Sequence, residues 1–354
     1  MNPFIRSLVR SLGAACLALS FSAAALHAQH DATSGGSTMI RGFTDIDYSA
    51  GDRNSGTKAG FRLGQFDLYI SSPLAERFSF VSETVFEFDE GTGAFAVDVE
   101  RVIVSYAVDE HFRLSGGKMH TPIGFWNNAY HHGQALSPTI DRPLLFRFED
   151  QGGALPVHTT GVQLSGRDLT AGHVGFDALL GNGLGNHPVP DTNATTSFTL
   201  ALHSQVTPSL RIGVSGYRDH AVAGTPTPRG DVLLASMTQL IGGGFVTYFA
   251  DRLEGIAEYQ QVHNSSAGAA SRSPGWFVYG GVRVASRLVP YAVHDQLELA
   301  ANDPYFAPAD VKREILGLRF EQTAAVVLKL ELRSIDRQSL PRATDAGIQL
   351  AVAF

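Results

Sequence analysis

The densest run of residues able to do chemistry lies between Gly116 and Gly153. It contains Lys118, His120, His131, His132, Asp141, Arg142, Arg147, Glu149 and Asp150, with His158 just beyond it. Imidazoles suit zinc, copper or nickel. The neighbouring His131 and His132 point apart on an extended chain, however, and the set lacks a zinc-binding spacing. They are weak metal candidates, and solvated or hydrogen-bonded loop histidines are the plainer expectation. The mixed charges of Lys118, Asp141, Arg142, Arg147, Glu149 and Asp150 have a second use. Held inside a low-dielectric wall, they set the field that a passing ion or solute meets. Equally, Asp141 pairs with Arg142 or Arg147 and simply holds a loop in shape.

Covalent catalysis finds little support. A nucleophile needs its base within hydrogen-bond reach, whereas His203 with Ser204 and His263 with Ser265 are pairs in sequence only. Neither a Gly-x-Ser-x-Gly elbow nor a His-Glu-x-x-His helix occurs. The single cysteine, Cys16, lies in an N-terminal apolar stretch, so thiolate metal sites, disulfides and cysteine nucleophiles are excluded after its removal. The chain is therefore read as a non-enzyme without a cofactor.

That stretch has the form of a secretory signal peptide over residues 1–28. Arg6 and Arg10 precede an apolar run from Leu12 to Leu26, and Ala23, Ala25 and Ala28 offer cleavage sites, the preferred cut following Ala28. Cys16 does not make a lipoprotein anchor, because Gly13 stands where a lipobox wants Leu. Loss of Arg6 and Arg10 leaves roughly 326 residues and takes the net charge from −7 to about −9. No basic patch for nucleic acid is present. No later segment approaches the roughly 20 apolar residues of a membrane helix. Residues 29–37, rich in Ser, Gly and Thr, read as a flexible leader into a single unit over residues 38–354.

Within that unit the recurring signal is period-2 alternation in segments of roughly ten residues, the length of a tilted membrane strand. Ile348, Leu350, Val352 and Phe354 alternate with Gly347, Gln349, Ala351 and Ala353. Leu328, Leu330 and Leu332 alternate with Lys329, Glu331 and Arg333. Phe78, Phe80, Phe86 and Phe88 stand opposite Glu83 and Glu87; Trp276, Val278, Val282 and Val284 stand opposite Tyr279 and Arg283. Val289, Tyr291 and Val293 stand opposite His294, Gln296 and Glu298. Assigning each apolar side to lipid and each polar side to water gives an all-β transmembrane antiparallel barrel of about 16 strands.

The connections alternate in length as such barrels require. Short ones fall at 73–77, 108–111, 166–171, 207–209, 251–253, 286–288 and 322–324. Long ones fall at 49–58, 120–157, 181–195, 220–236, 264–274, 300–310 and 336–342, with a brief member at 89–93. Both ends of the barrel are then periplasmic. The expected lumen wall carries Arg62, Asp67, Glu83, Glu87, Arg101, Arg211, Glu258, Arg283, Glu298, Arg319, Glu321, Lys329, Glu331 and Arg333. Mixed signs of this kind read first as a solvated wall held by cross-strand pairs. The connection 120–157, third on its side of the barrel when the brief 89–93 is counted, is aromatic enough to be ordered and is the candidate constriction loop, folded inward.

A chain that ends in alternating apolar residues and a terminal Phe354 resembles Gram-negative outer-membrane proteins. That resemblance implies recognition by the barrel-assembly machinery. The whole pattern of hairpins with a long third loop resembles the sixteen-stranded porins, especially the phosphate-selective porin O/P-like group. The resemblance implies outer-membrane lipid around the barrel, homotrimers, and passive diffusion of small hydrophilic solutes or ions. No lysine ladder or arginine cluster of the phosphate-selective type is found. The net charge favours cations, and the alternative is an adhesive or substrate-gated barrel without general pore activity.

Overall fold

The computed structural model describes residues 37–89, 92–131, 133, 135–148, 151–184 and 195–354. The expected signal peptide and most of the leader lie outside the described residues, as do His132, Glu149 and Asp150. No helix among the described residues is long and apolar enough to cross a membrane. Sixteen strands do the structural work: β1 (Met39–Gly51), β2 (Gly60–Ala75), β3 (Phe78–Asp89), β4 (Ala94–Ala107), β5 (Phe112–His120), β6 (His158–Gly166), β7 (Val174–Gly181) and β8 (Ser197–Gln205) form the first half. The second half comprises β9 (Leu210–Ala221), β10 (Met237–Phe249), β11 (Leu253–Ser266), β12 (Ala269–Val282), β13 (Leu288–Leu299), β14 (Ala309–Glu321), β15 (Val326–Arg337) and β16 (Ala343–Ala353). Each pairs antiparallel with its sequence neighbour, and β1 pairs with β16 from Phe43↔Ala353 to Gly51↔Asp345, closing the barrel. Closure leaves no strand at an open sheet edge, the arrangement that lets a sheet satisfy its backbone groups without water.

Alternation appears as two chemically different faces. Outward lie exposed apolar side chains such as Phe61, Leu316, Leu332, Leu330, Ile348 and Leu350. Inward lie buried polar ones, among them Asp45, Asp67, Glu83, Gln260, Lys329 and Glu331. Phe354 continues β16, with its ring stacked 6.0 Å from that of Phe66.

Two sequence expectations need correction. The long connection at 264–274 is strand: β11 runs to Ser266 and β12 begins at Ala269, joined by Ala267 and Gly268 at φ 39° and 86°. Two left-handed residues match the right-handed twist of a hairpin. The Ser, Asn and Arg residues that look loop-like here are strand residues, and the inward ones are bonded: Asn264 and Ser271 both donate to Asp303.

The second correction concerns β13. Its apolar residues Val289, Tyr291 and Val293 face inward, at 0%, 5% and 5% exposure. Glu298, expected on the lumen wall, is exposed on the opposite face with His294 and Gln296. The reason is the main apolar cluster. Ile123, Trp126, Leu144, Leu145, Phe146, Leu155 and Val157 pack against inward Tyr217, Ile241, Ile256, Phe277, Tyr291, Val293 and Ile315. The wall is apolar here because these described apolar side chains between Ile123 and Val157 pack on it.

Candidate functional site

Residues 121–157 start and finish at the same place. Asn127 donates its amide to the carbonyls of Thr121 and Val157, each at 2.9 Å, and the Thr121 and Thr159 hydroxyls are 2.7 Å apart. This cross-tie closes the base of the loop. The chain then makes one helical turn, α1 (Trp126–Ala129). The backbone N–H groups of Phe125 and Trp126 donate to the Glu258 carboxylate of β11 at 2.7 and 2.6 Å. The donors sit where a helix starts and its N–H groups lack intrahelical partners. Gly124 at φ 69° makes room, because a Cβ there would lie 2.5 Å from Glu258 Oε2 and 2.6 Å from the Phe146 ring.

Further along, the loop docks on β13, β14 and β15. Ile140 N–H donates to Glu331 at 2.8 Å, Lys329 donates to the Thr139 carbonyl at 2.9 Å, and Leu144 N–H donates to Asp295 at 2.9 Å. Arg313 donates to the Arg142 carbonyl and to Asp295, both at 2.7 Å. Asp141 lies 3.2 Å from Arg333 and 3.3 Å from Arg313. Burial raises its pKa, but these two guanidiniums outweigh that and hold the carboxyl below its usual range.

These contacts sort the candidate charges. Asp141 pairs with the barrel wall rather than with Arg142 or Arg147. Arg142 is turned into its own loop, donating to the carbonyls of Phe146 and His131 at 2.6 and 2.7 Å and lying 4.1 Å over the Phe148 ring. Arg147 is half-buried, and burial followed by the nearby charge of Arg313 lowers its pKa. Lys118 is buried with its Nζ 3.4 Å from Asp98.

Of the expected wall residues, Arg62 pairs with Asp47 at 3.2 Å, Arg101 with Glu83, and Glu87 with Gln65. Arg211 lies 5.9 Å from the Phe125 and Phe245 rings. Arg319 binds Glu254 at 2.8 Å and Glu321 at 2.9 Å, and Arg283 binds Glu321 at 2.7 Å. Arg333 binds Glu331 at 2.7 Å. Mixed signs thus meet both across strands, as in Arg62–Asp47 and Arg101–Glu83, and within one strand, as in Arg319–Glu321 and Arg333–Glu331. Asp295 and Arg313 are additions. Asp295 shares the alternation phase of Val289, Tyr291 and Val293, and a carboxylate on an otherwise apolar strand face was the signal that this face is not lipid-exposed.

A further group forms on the opposite side of the loop. The ring nitrogens of His120, His131 and His158 lie within 4.8 Å of one another and all three side chains are buried. Glu100 of β4 contacts His158 and lies 3.8 Å from His131 Nε2.

No protein-family model matches the chain, and no characterised protein matches it in sequence. Solved structures do. OmpT of Vibrio cholerae, folded in vitro and in trimer form, is 13% identical, with 90% of this chain and 99% of that one covered at a TM-score of 0.62. An anion-selective porin from Comamonas acidovorans is 11% identical over 90% and 99% of the two chains, at 0.65. The outer-membrane channel DcaP of Acinetobacter baumannii is 11% identical over 91% and 99%, at 0.60. Identities this low speak for architecture alone, and the chain has the closed sixteen-stranded fold of outer-membrane porins.

Proposed function

We propose that this chain is an outer-membrane diffusion pore for small hydrophilic solutes or ions, with residues 121–157 as the inward-folded third loop that narrows the lumen. One observation carries the reading: a sixteen-stranded barrel, a size that leaves a channel rather than a filled core, holds a long loop against its inner wall by at least four charged side chains, Glu258, Asp295, Glu331 and Lys329. A loop fixed by charge-assisted bonds keeps a constant cross-section, as a passive sieve needs. Selectivity then belongs to charges that the loop leaves toward water, such as Arg62 and Asp98, whose side chains are 61% and 56% exposed.

Export through a cleaved leader, assembly through the strand ending at Phe354, and a homotrimer in outer-membrane lipid complete the proposal. No group in it performs catalysis. A gated barrel is the second reading, favoured by Arg229, which donates to the carbonyls of Asp303 and Pro304 at 3.1 and 2.9 Å and so ties two loops at the same end as 121–157.

Planar-bilayer conductance of the refolded protein under a salt gradient tests both. Stable steps with a reversal potential support the open pore and give the sign of selectivity. A silent bilayer from heat-modifiable, folded protein overturns it in favour of the gated barrel.

A further inference from the structure

His120 is the last residue of β5 and His158 the first of β6, and they are register partners at the mouth of the loop. His131 reaches them from within the loop: its ring centroid is 3.8 Å from that of His120 and 4.3 Å from that of His158. Glu100 is brought in by a break in strand pairing. Glu83 pairs with Arg101 while Thr84 pairs with Val99, leaving Glu100 as the extra residue of a bulge, and bulges re-aim side chains in this way. His131, His158 and Glu100 are 4%, 2% and 5% exposed. Three imidazoles and a carboxylate, from three strands and one loop, thus converge on one buried point.

We propose that His120, His131, His158 and Glu100 bind one divalent transition-metal cation of the imidazole-preferring class, zinc, copper or nickel, and that the ion clamps the loop to the β4–β6 wall. Nitrogen and oxygen donors in a set of four suit that class. Metal–nitrogen bonds of about 2.0–2.1 Å would draw the nitrogens together by roughly an ångström, a movement that side-chain rotation supplies. The surroundings are those of a metal-binding histidine. His131 Nδ1 lies 2.8 Å from Asn127 Oδ1 and must donate to it, which directs the Nε2 lone pair at the cluster. Glu83 stands 3.9 Å from His120 Nε2, a second carboxylate beside a ligand ring. Asn127 also closes the loop base, so the metal site and the loop anchor share a residue.

Binding does not depend on the chain being a pore; only an effect on conductance would. The test is calorimetric titration of the folded full-length barrel, stripped with chelator, with Zn²⁺ and separately with Co²⁺, whose visible bands report four-coordination. The expected result is one saturable site per chain and a four-coordinate Co²⁺ spectrum. His131→Ala and His158→Ala should abolish both, and Asn127→Ala should weaken affinity about 10–100-fold. His173→Ala, which alters a histidine 63% exposed and paired with Asp168, should change nothing. Heat-modifiable migration checks that each variant folds; should a histidine variant fail, Glu100→Gln carries the same expectation of lost affinity. Absence of saturable binding, or binding unchanged in folded His131→Ala or Glu100→Gln, overturns the proposal and leaves a structural histidine–carboxylate cluster.

Discussion

Strands β13 and β15 are separated only by β14 and both alternate cleanly, yet they turn opposite kinds of face inward. On β15 the inward residues are Lys329, Glu331 and Arg333, and Leu328, Leu330 and Leu332 point out. On β13 the inward residues are Val289, Tyr291 and Val293, and His294, Gln296 and Glu298 point out. The same loop explains both. Its Ile140 and Thr139 backbone meets β15 with polar groups that want charged partners. Its neighbouring apolar side chains, such as Leu145 and Phe146, belong to the cluster that includes Tyr291 and Val293. On these strands the wall is complementary to the segment that packs on it, strand by strand, rather than uniformly polar.

The largest expected effect tests the one charge on the apolar face. Asp295 and Arg313 form an ion pair at 2.7 Å with side chains 0% and 2% exposed. Asp295→Ala strands a buried guanidinium and should cost about 3–5 kcal/mol, measured by denaturant unfolding of the refolded barrel in detergent. A loss well under that would show Arg313 satisfied by Asp141 alone and weaken the contrast between the strands. Next comes the outward face of β15: Leu332, 62% exposed there, would face lipid in a membrane-embedded barrel, and Leu332→Arg should then cost up to about 2–4 kcal/mol, depending on depth. Indifference to that change in a lipid bilayer would return Leu332 to an aqueous or protein-covered surface.

Acidification probes the seam at Asp141. Its carboxyl is held below the usual range by Arg333 and Arg313 against the effect of burial. A depressed pKa stabilises the docked loop fully above the ordinary carboxylate value of about 3.9, and that stabilisation is lost as pH falls through the lower folded value. The part of the channel noise that depends on Asp141, read as the difference from Asp141→Asn, should therefore stay constant from neutral pH down to about 4 and vanish only below it; a difference that changes near pH 6 would mean that the two guanidiniums do not hold Asp141 ionised. The smallest effect sharpens the comparison from the other side. Gln296→Leu on the outward face of β13 should change stability by no more than about 0.5 kcal/mol, whereas a marked destabilisation in the same unfolding assay would mean that Gln296 has a polar partner there.

Much of the fold was legible because an extended chain has a period of two, and this holds whatever the chain later packs against. The spacing of strands and short turns, the sixteen-strand count and the long segment between His120 and His158 all follow from that local rule and from chain length. The hairpin at Ala267 and Gly268 was not legible, since Asn264, Ser271 and Ser273 look like loop residues unless one knows that Asp303, in the connection after the neighbouring strand β13, bonds the first two. The candidate charges were found as types, but their partners were not: Asp141 neighbours Arg142 in sequence and binds Arg313 and Arg333 in space.

Period-two alternation says which residues share a face; it is silent on which face is inside. For β15 hydrophobicity settles the matter, because lipid outside and charged partners inside agree. For β13 it misleads, because burial against Leu145 or Phe146 is as favourable to Val293 as burial in lipid. That choice waited on closure of the barrel and on residues 121–157, which are remote in sequence and meet β13 only once the chain is folded.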